Sequence, residues 1–187
     1  MQVFWGLDKK LAQRKHFPSL NWLLSYSKYL RALDPWYEEN HPEFPPMRTT
    51  VKEILQTEDD LTEIVQLVGK DSLAESDKLI LEVAKIIKDD YLQQNGFSEY
   101  DRVCPFYKCV WMMKNIVDFY TLASKAIENS TAENKVTVNR IKQSMGDTIY
   151  KIVSQKFRLP TDGEEANVAH FKALSEEITD AFRTFDE

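Results

Sequence analysis

The feature that most constrains this chain is a helical spacing of apolar residues that recurs along most of the sequence after residue 40. Within residues 47–69 apolar side chains return at steps of three and four, which places them on one face of an α-helix and predicts burial of that face. The positions on this face are Val51, Ile54, Leu55, Leu61, Ile64, Val65 and Val68. Gly69 follows them and predicts the end of the helix.

A second helix is predicted to begin within the sequence KDSLAESD. Ser72 is placed to cap its first turn, and Glu75, three residues later, completes the pattern of a capping box. The helical spacing continues as far as Ile87. We therefore expect the two helices to form a hairpin.

Three further segments have helical spacing, namely residues 107–127, 137–157 and 164–185. The last has one apolar face, formed by Phe171, Leu174, Ile178, Phe182 and Phe185. A chain of 187 residues with 43% hydrophobic content can bury one core but is too short for two typical domains. These patterns together predict an all-α fold.

The first residues depart from the helical pattern. The sequence QVFWGL combines aromatic and β-branched residues and ends at a glycine, which is typical of a β-strand. No partner strand is evident nearby, and a lone strand cannot satisfy its own backbone groups. We therefore expect this segment to be the last strand of a larger sheet domain.

Charge and hydropathy exclude several classes of protein. A net charge of -6 disfavours nucleic acid as a partner, because such binding depends on basic side chains that neutralise phosphates. No apolar run approaches the ~20 residues that span a bilayer, and no basic-then-apolar leader begins the chain. We expect a soluble, unprocessed chain without direct membrane insertion.

The cysteines and histidines do not form a metal or catalytic motif in the sequence. Cys104 and Cys109 are too few for a disulfide scaffold, and no histidine lies near them. His16, His41 and His170 are far apart and lack a metal-ligand spacing. We expect both cysteines to be reduced, packed side chains.

The sequence HFPSLNWLLSYSKYL places small polar residues among large apolar ones. Asn21, Ser25 and Ser27 can hydrogen bond nearby backbone groups and so hold an irregular linker. Pro18 restricts the residue before it to an extended conformation, which directs Phe17 away from the chain. On the residues alone, core packing at a domain junction explains Phe17 better than stacking on a ligand does.

A second irregular segment, YLQQNGFSEY, interrupts the helical pattern at Asn95 and Gly96, a pair typical of turns. We expect the glycine to free the chain so that Phe97 is presented on an exposed loop. An ordinary packed aromatic residue is the alternative.

These segments, together with KEILQTEDDLTEIVQLVGKDSLAESDKLILEVAKIIKDDYLQQNGF and YDRVCPFYK, resemble the catalytic A subunits of vacuolar-type proton-translocating ATPases. The resemblance covers essentially the whole chain. Pro18, Asn21, Ser25 and Ser27 match the signature P-[SAP]-[LIV]-[DNH] and spaced S-x-S of rotary ATPase nucleotide-binding subunits.

The resemblance implies the C-terminal helical bundle of such a subunit, with a short strand and linker left from an α/β nucleotide domain. Residues 1–27 would be the last strand and linker, with the signature region at 18–27, and residues 28–187 the helical domain. The implied adenine-binding residues are Phe17, Gln94, Asn95 and Phe97. The implied rotor contact is the hairpin tip, formed by Asp71, Ser72, Leu73, Ala74, Glu75, Ser76 and Asp77.

The implied function is ATP-driven proton transport, in which Mg-ATP is bound mainly by the nucleotide domain. The implied partners are the B subunits and the central rotor stalk, in a cytoplasmic assembly peripheral to the vacuole, lysosome or endosome. This chain has no phosphate loop of the form G-x-x-x-x-G-K-[ST], so no catalytic residue is assigned. The alternative is a free-standing helical interaction module from a truncated paralogue.

Overall fold

The long helices form where the apolar spacing predicts them, in a computed structural model that describes residues 1–131 and 134–186. The helices are α1 (Lys9–Gln13), α2 (Leu30–Asn40), α3 (Phe44–Val68), α4 (Glu75–Ile86), α5 (Glu99–Arg102), α6 (Phe106–Glu128), α7 (Val138–Ser144), α8 (Gly146–Ser154) and α9 (Glu164–Asp186). A π-helical turn, Ile87–Leu92, continues α4. The all-α fold class is confirmed, and no helix among the described residues is both long and apolar enough to cross a membrane.

Helix α6 lies at the centre of the core and contacts α3, α4, α8 and α9. Its Phe119 packs against Phe182 of α9, with ring centroids 5.6 Å apart. The predicted apolar face of α9 is buried at all five positions, from Phe171 to Phe185, which confirms that face. Burial of apolar area on this scale is the main stabilising term of the fold.

A buried polar contact ties α6 to the helices beside it. Asn115 Nδ2 of α6 donates to Gln155 Oε1 at 3.0 Å and to the carbonyl of Phe171 at 3.4 Å. Gln155 Nε2 in turn donates to the carbonyl of Met112 at 3.3 Å. Because buried polar groups are costly when unpaired, these bonds fix how α6, α9 and the turn after α8 meet.

The segment with helical spacing over residues 137–157 does not form one continuous helix. The segment divides into α7 and α8, followed by the 3₁₀ turn Gln155–Phe157. The break falls at Met145, whose backbone leaves the helical region (φ −113°, ψ 24°) while its side chain is buried. Gly146, which disfavours the helix interior, follows at once. The apolar spacing survives this bend, so periodicity alone did not reveal it.

The prediction that the N-terminal strand has no partner is also wrong. Strand β1 (Val3–Phe4) pairs antiparallel with β2 (Tyr26–Ser27), and an isolated bridge joins Leu7 to Leu20. Two-residue strands are too short to give a periodic signal, so β2 was hidden within the linker sequence. The pairing removes the argument that β1 requires a larger sheet.

The short polar side chains of the N-terminal segment hold its backbone, as predicted. Asn21 Oδ1 accepts two N–H groups of the turn that follows it, at 3.0 and 2.9 Å. Ser25 Oγ accepts the N–H of Gly6 at 3.0 Å, and Ser27 Oγ accepts the N–H of Tyr29 at 3.2 Å. The segment is thus stabilised by side chains where regular secondary structure is absent.

Candidate functional site

Two irregular segments that carry predicted adenine-binding residues lie side by side. The backbone N–H of Gln94 donates to the carbonyl of Phe17 at 2.7 Å. The side chain of Phe17 is 53% exposed, and Gln94 is exposed as well. The structure therefore brings together residues that are separated by more than seventy positions in the sequence.

The residue before Phe17 is packed into the domain, whereas the Phe17 ring itself is accessible to solvent. The adjacent His16 is buried, and its ring meets Trp22 edge-on with centroids 5.7 Å apart. The ammonium of Lys88 lies 5.3 Å from the centre of the Trp22 ring. Burial lowers the pKa of His16, which favours a neutral imidazole at this junction.

The turn that follows Gln94 presents Phe97 to solvent. Asn95 Oδ1 accepts the N–H of Phe97 at 3.1 Å, and the Asn95 N–H donates to Asp101 Oδ2 at 2.9 Å. The carbonyl of Asn95 also accepts the N–H and the hydroxyl of Ser98, at 3.0 and 2.7 Å. Phe97 itself is fully exposed. A rigid turn thus holds a bare aromatic ring outward, which favours contact with another surface or a ligand.

The expectation that Gly96 is needed for this turn is wrong. Among the described residues, positive φ values at glycine occur only at Gly69 and Gly163. A Cβ added to Gly96 would meet nothing within 4 Å. The Asn95 and Ser98 hydrogen bonds, rather than the freedom of a glycine, shape the turn.

The tip of the α3–α4 hairpin contains a sharp turn at Gly69 (φ 81°, ψ 157°), a backbone region nearly restricted to glycine. Beyond it, Lys70 Nζ donates to Glu82 Oε1 at 2.7 Å, and Lys142 Nζ donates to Glu82 Oε2 at 3.0 Å. Burial would raise the pKa of Glu82, but the hydrogen bonds and the positive charges of the two lysines together outweigh it and hold the pKa below its usual range. Glu82 therefore joins the tip to α7.

The predicted capping box at the start of α4 does not form. Ser72 Oγ instead donates back to the carbonyl of Val68 at 3.0 Å. The carboxylate of Glu75 accepts Lys78 Nζ at 2.9 Å and the N–H of Val138 at 2.8 Å. Glu75 is thus engaged with the first turn of α7. Its pKa is lowered although burial opposes the shift, because both bonds favour the carboxylate.

The apolar face of α3 is exposed near the tip, so the predicted burial is wrong there. Ile64 is 45% and Val68 is 56% exposed, and Leu67 beside them is exposed almost fully. The period of a helix identifies its apolar face but does not show how far along the helix its neighbours extend. The part of the chain that the structure describes thus leaves this end of the apolar face largely open to solvent.

Sequence reasoning missed a fully buried lysine in α6. Lys108 Nζ donates to the carbonyls of Tyr100, Lys156 and Arg158, at 2.8, 2.6 and 2.9 Å. Its three donors are thereby used, and burial lowers the pKa of Lys108. A lysine within the apolar helical run CPFYKCVWMM was the available signal.

The fold and this geometry define an all-α domain with a helical hairpin whose tip is exposed and a surface bearing exposed aromatic rings. Residues 33–136 match the family model of the C-terminal domain of V and A type ATP synthase, and the chain belongs to that family. This match confirms the resemblance found in the sequence.

Relatives align with the whole of this chain. It is 63% identical to the catalytic A subunit of the V-type proton ATPase of Dictyostelium discoideum, over 100% of this chain and 30% of that protein. It is 60% identical to isoform 2 of the same protein in Drosophila melanogaster, over 100% of the chain and 31% of the relative. For the Zea mays relative the identity is 58%, over 100% and 34%. The chain thus spans about a third of the length of these relatives.

Proposed function

We propose that this chain acts as the helical C-terminal part of the catalytic A subunit of a vacuolar-type proton-translocating ATPase. High identity along the whole chain to proteins with that name supports the proposal. In this role the chain contributes contacts to the adenine of ATP and couples the nucleotide site to the rotor. The chemistry of hydrolysis belongs to residues outside this sequence, which contains no phosphate loop.

The proposed domain division separates residues 1–27, the end and linker of the nucleotide domain, from residues 28–187, the helical domain. The first part consists of a strand pair and irregular turns, whereas the second is almost entirely helical. Trp22 of the first part packs on the helical core, and Phe17 is bonded to Gln94 of the second. The division therefore falls within a packed unit.

The observation that carries the adenine role is the pair of exposed aromatic rings on two hydrogen-bonded segments. Phe17 and Phe97 offer flat apolar faces, and an adenine ring gains by stacking on such faces. Asn95 uses its side-chain oxygen within the turn, so its amide nitrogen is the atom left to reach the polar edge of the base. Gln94, exposed beside Phe17, is the second such group. Mg-ATP is the substrate, and this chain provides base contacts only.

The proposed rotor contact is the hairpin tip from Asp71 to Asp77. Exposed Ile64, Leu67 and Val68 beside the tip support a contact with another protein, since an apolar cluster of this kind is usually covered. The proposed partners are the B subunits and the central rotor stalk, in a complex peripheral to acidic endomembranes on their cytoplasmic side. Packed helices move as rigid bodies, so the hairpin acts as a lever.

The adenine role is tested by Phe17→Ala and Phe97→Ala in the complete enzyme. We expect the apparent KM for ATP to rise about fivefold to 150-fold for each, because a lost stacking face is worth about 1 to 3 kcal/mol. Phe97→Tyr keeps the ring and should leave KM near the parent value. Tyr150→Ala removes an aromatic residue that is 70% exposed on α8 and is the matched control. Unchanged kinetics in the double alanine variant would contradict the adenine role.

A free-standing helical interaction module is the second candidate, and one observation favours it. Because β1 pairs with β2, the N-terminal segment satisfies part of its own backbone without a larger sheet. Co-purification distinguishes the two functions. A role in the catalytic A subunit requires this sequence, within its complete polypeptide, to assemble with B subunits and support ATP-driven proton transport. If the complete polypeptide neither assembles with B subunits nor supports ATP-driven proton transport, the free-standing module is favoured.

A further inference from the structure

The turn that carries Phe97 is tied to helix α5 by the side chain of Asp101. The Asn95 N–H donates to Asp101 Oδ2 at 2.9 Å. Two further hydrogen bonds, from the N–H of Phe97 and from the hydroxyl of Ser98 to Asn95, lie within the turn itself. A carboxylate accepts a stronger hydrogen bond than a neutral oxygen does, so Asp101 fixes the orientation of the turn relative to α5.

The helix that carries Asp101 is itself held in place. Helix α5 has only four residues, so its position depends on contacts with its neighbours. Lys108 Nζ of α6 donates to the carbonyl of Tyr100 at 2.8 Å, and the Tyr100 ring meets Phe157 edge-on with centroids 4.9 Å apart. Asp101, the next residue, is half-buried. The carboxylate therefore projects from a support that is fixed on both its backbone and its aromatic side.

The chain is also held where it enters this turn. Lys156 Nζ donates to the carbonyl of Gln93 at 3.5 Å. Gln94 follows, and it lines a cavity of about 110 Å³ together with Asp101. The backbone is thus held directly before Gln94 by Lys156 and at Asn95 by Asp101. These are the two polar residues proposed to meet the adenine.

We propose that Asp101 is a positioning residue for the adenine contact, an inference that rests on the proposed function. Asp101 acts through the backbone of Asn95 rather than on the base itself. It keeps the Asn95 amide group and the Phe97 ring in one orientation before ATP arrives. A contact that is already ordered binds more tightly, because less conformational entropy is lost on binding.

The test is the kinetics of ATP hydrolysis by the complete enzyme with Asp101→Ala. We expect the apparent KM for ATP to rise about threefold to tenfold while kcat stays within about twofold of the parent, because only the order of a binding contact is lost. Asp101→Asn keeps an acceptor oxygen and should restore most of the affinity. Glu99→Ala removes an exposed carboxylate from the same helix and is the matched control.

Amide hydrogen exchange gives a second measurement that does not depend on nucleotide. In the 187-residue chain, followed by NMR, the Asn95 amide should exchange faster in Asp101→Ala than in the parent. Glu99→Ala should leave that rate unchanged. An Asn95 amide that exchanges at the parent rate in Asp101→Ala would overturn the inference.

Phe97→Ala separates failure of this inference from failure of the proposed function. If KM rises in Phe97→Ala but not in Asp101→Ala, the positioning role is overturned and the adenine role stands. If KM is unchanged in both variants, the adenine contact of this turn is overturned as well. A fall in kcat without a rise in KM, or no rescue by Asp101→Asn, would also contradict a positioning role.

Discussion

At the scale of single residues, the buried ammonium of Lys108 is the most unusual feature. Its three carbonyl partners belong to α5 and to the backbone that follows α8, so one side chain joins both of these segments to α6. The segment joined at Tyr100 directly follows the turn that presents Phe97. Lys108 therefore anchors α5, the short helix that follows this turn, to α6.

We expect Lys108→Met to lower the free energy of unfolding by about 3 kcal/mol or more. The substitution keeps much of the side-chain volume but leaves three carbonyl groups without their donor, and buried unpaired groups are costly. Urea unfolding measures the change. Lys114→Met in the same helix is the control, since its partly exposed pair with Asp118 is worth about 0.5 kcal/mol. If the two variants lose the same free energy of unfolding, the hydrogen bonds of Lys108 to the three carbonyl groups are not the cause of the loss.

At the scale of elements, the hairpin is held to the bundle by two carboxylates of α4. Glu82 bonds Lys70 at the tip and Lys142 of α7, while Glu75 bonds the N–H of Val138 at the start of α7. Helix α7 therefore braces the hairpin from the side. Such bracing favours movement of the hairpin as one body rather than bending at the tip.

These carboxylates predict a loss of stability in acid. Glu75 and Glu82 have pKa values below the usual 4.5, so they stabilise the fold above about that pH and the contribution is lost as pH falls through their folded pKa values. We expect the free energy of unfolding, measured in urea, to decline below about pH 4.5. Glu82→Gln should decline less steeply, whereas Glu128→Gln, at an exposed site, should match the parent. If the free energy of unfolding of Glu82→Gln falls with pH as steeply as that of the parent, Glu82 does not contribute to the loss of stability in acid.

The proposed rotor contact can depend on the shape of the hairpin tip or on its charge, and two variants distinguish these possibilities. Surface ion pairs are worth about 0 to 1 kcal/mol each, so a sliding contact with a rotor cannot depend on one of them. Because Glu75 supports α7, we neutralise only Asp71 and Asp77, as Asp71→Asn with Asp77→Asn. In the complete enzyme we expect the protons transported per ATP hydrolysed to remain near the parent value.

A shortened tip is the comparison for that variant. Removing residues 70–76 should reduce proton transport per ATP while leaving ATP binding in place, because the shortened hairpin no longer contacts the rotor. The deletion also removes the Lys70 pair and the Glu75 bond, so Glu75→Gln alone serves as its structural control. If the neutralised variant uncouples as strongly as the deletion, charge rather than shape carries the contact.

At the scale of the whole molecule, the described residues carry two exposed surfaces, one with aromatic rings and one at the hairpin tip. Its exposed aromatic rings and its exposed tip lie on separate segments that one core connects, through α4 and α6. The π-helical turn Ile87–Leu92 continues α4 directly to the segment that contains Gln94. Displacement at the aromatic surface can therefore reach the hairpin through continuous packed helix.

We expect the isolated chain to bind ATP weakly at best and to hydrolyse none. Stacking on one or two rings is worth about 1 to 3 kcal/mol each, whereas micromolar binding requires about 8 kcal/mol. Calorimetric titration with ATP and magnesium measures the affinity, and phosphate release measures turnover. Phe97→Ala is the matched variant for any weak binding that is seen. Micromolar affinity, or turnover that follows the purified chain, would show that a site has been misplaced.

The sequence by itself determined the fold class, the apolar face of α9 and the hairpin, because helical periodicity is a local property of the chain. It also identified the segments that contain Phe17 and Phe97. The roles of these residues stay predictions. Family resemblance rather than residue chemistry singled them out.

Only the tertiary structure decided the remaining features. The pairing of β1 with β2, the break at Met145 and the exposed end of α3 depend on which segments meet in space. The same is true of Glu75, which left its expected local cap for a backbone group 63 residues away. Local patterns show what a residue can do, whereas the choice among long-range partners is made by the packing of the whole core.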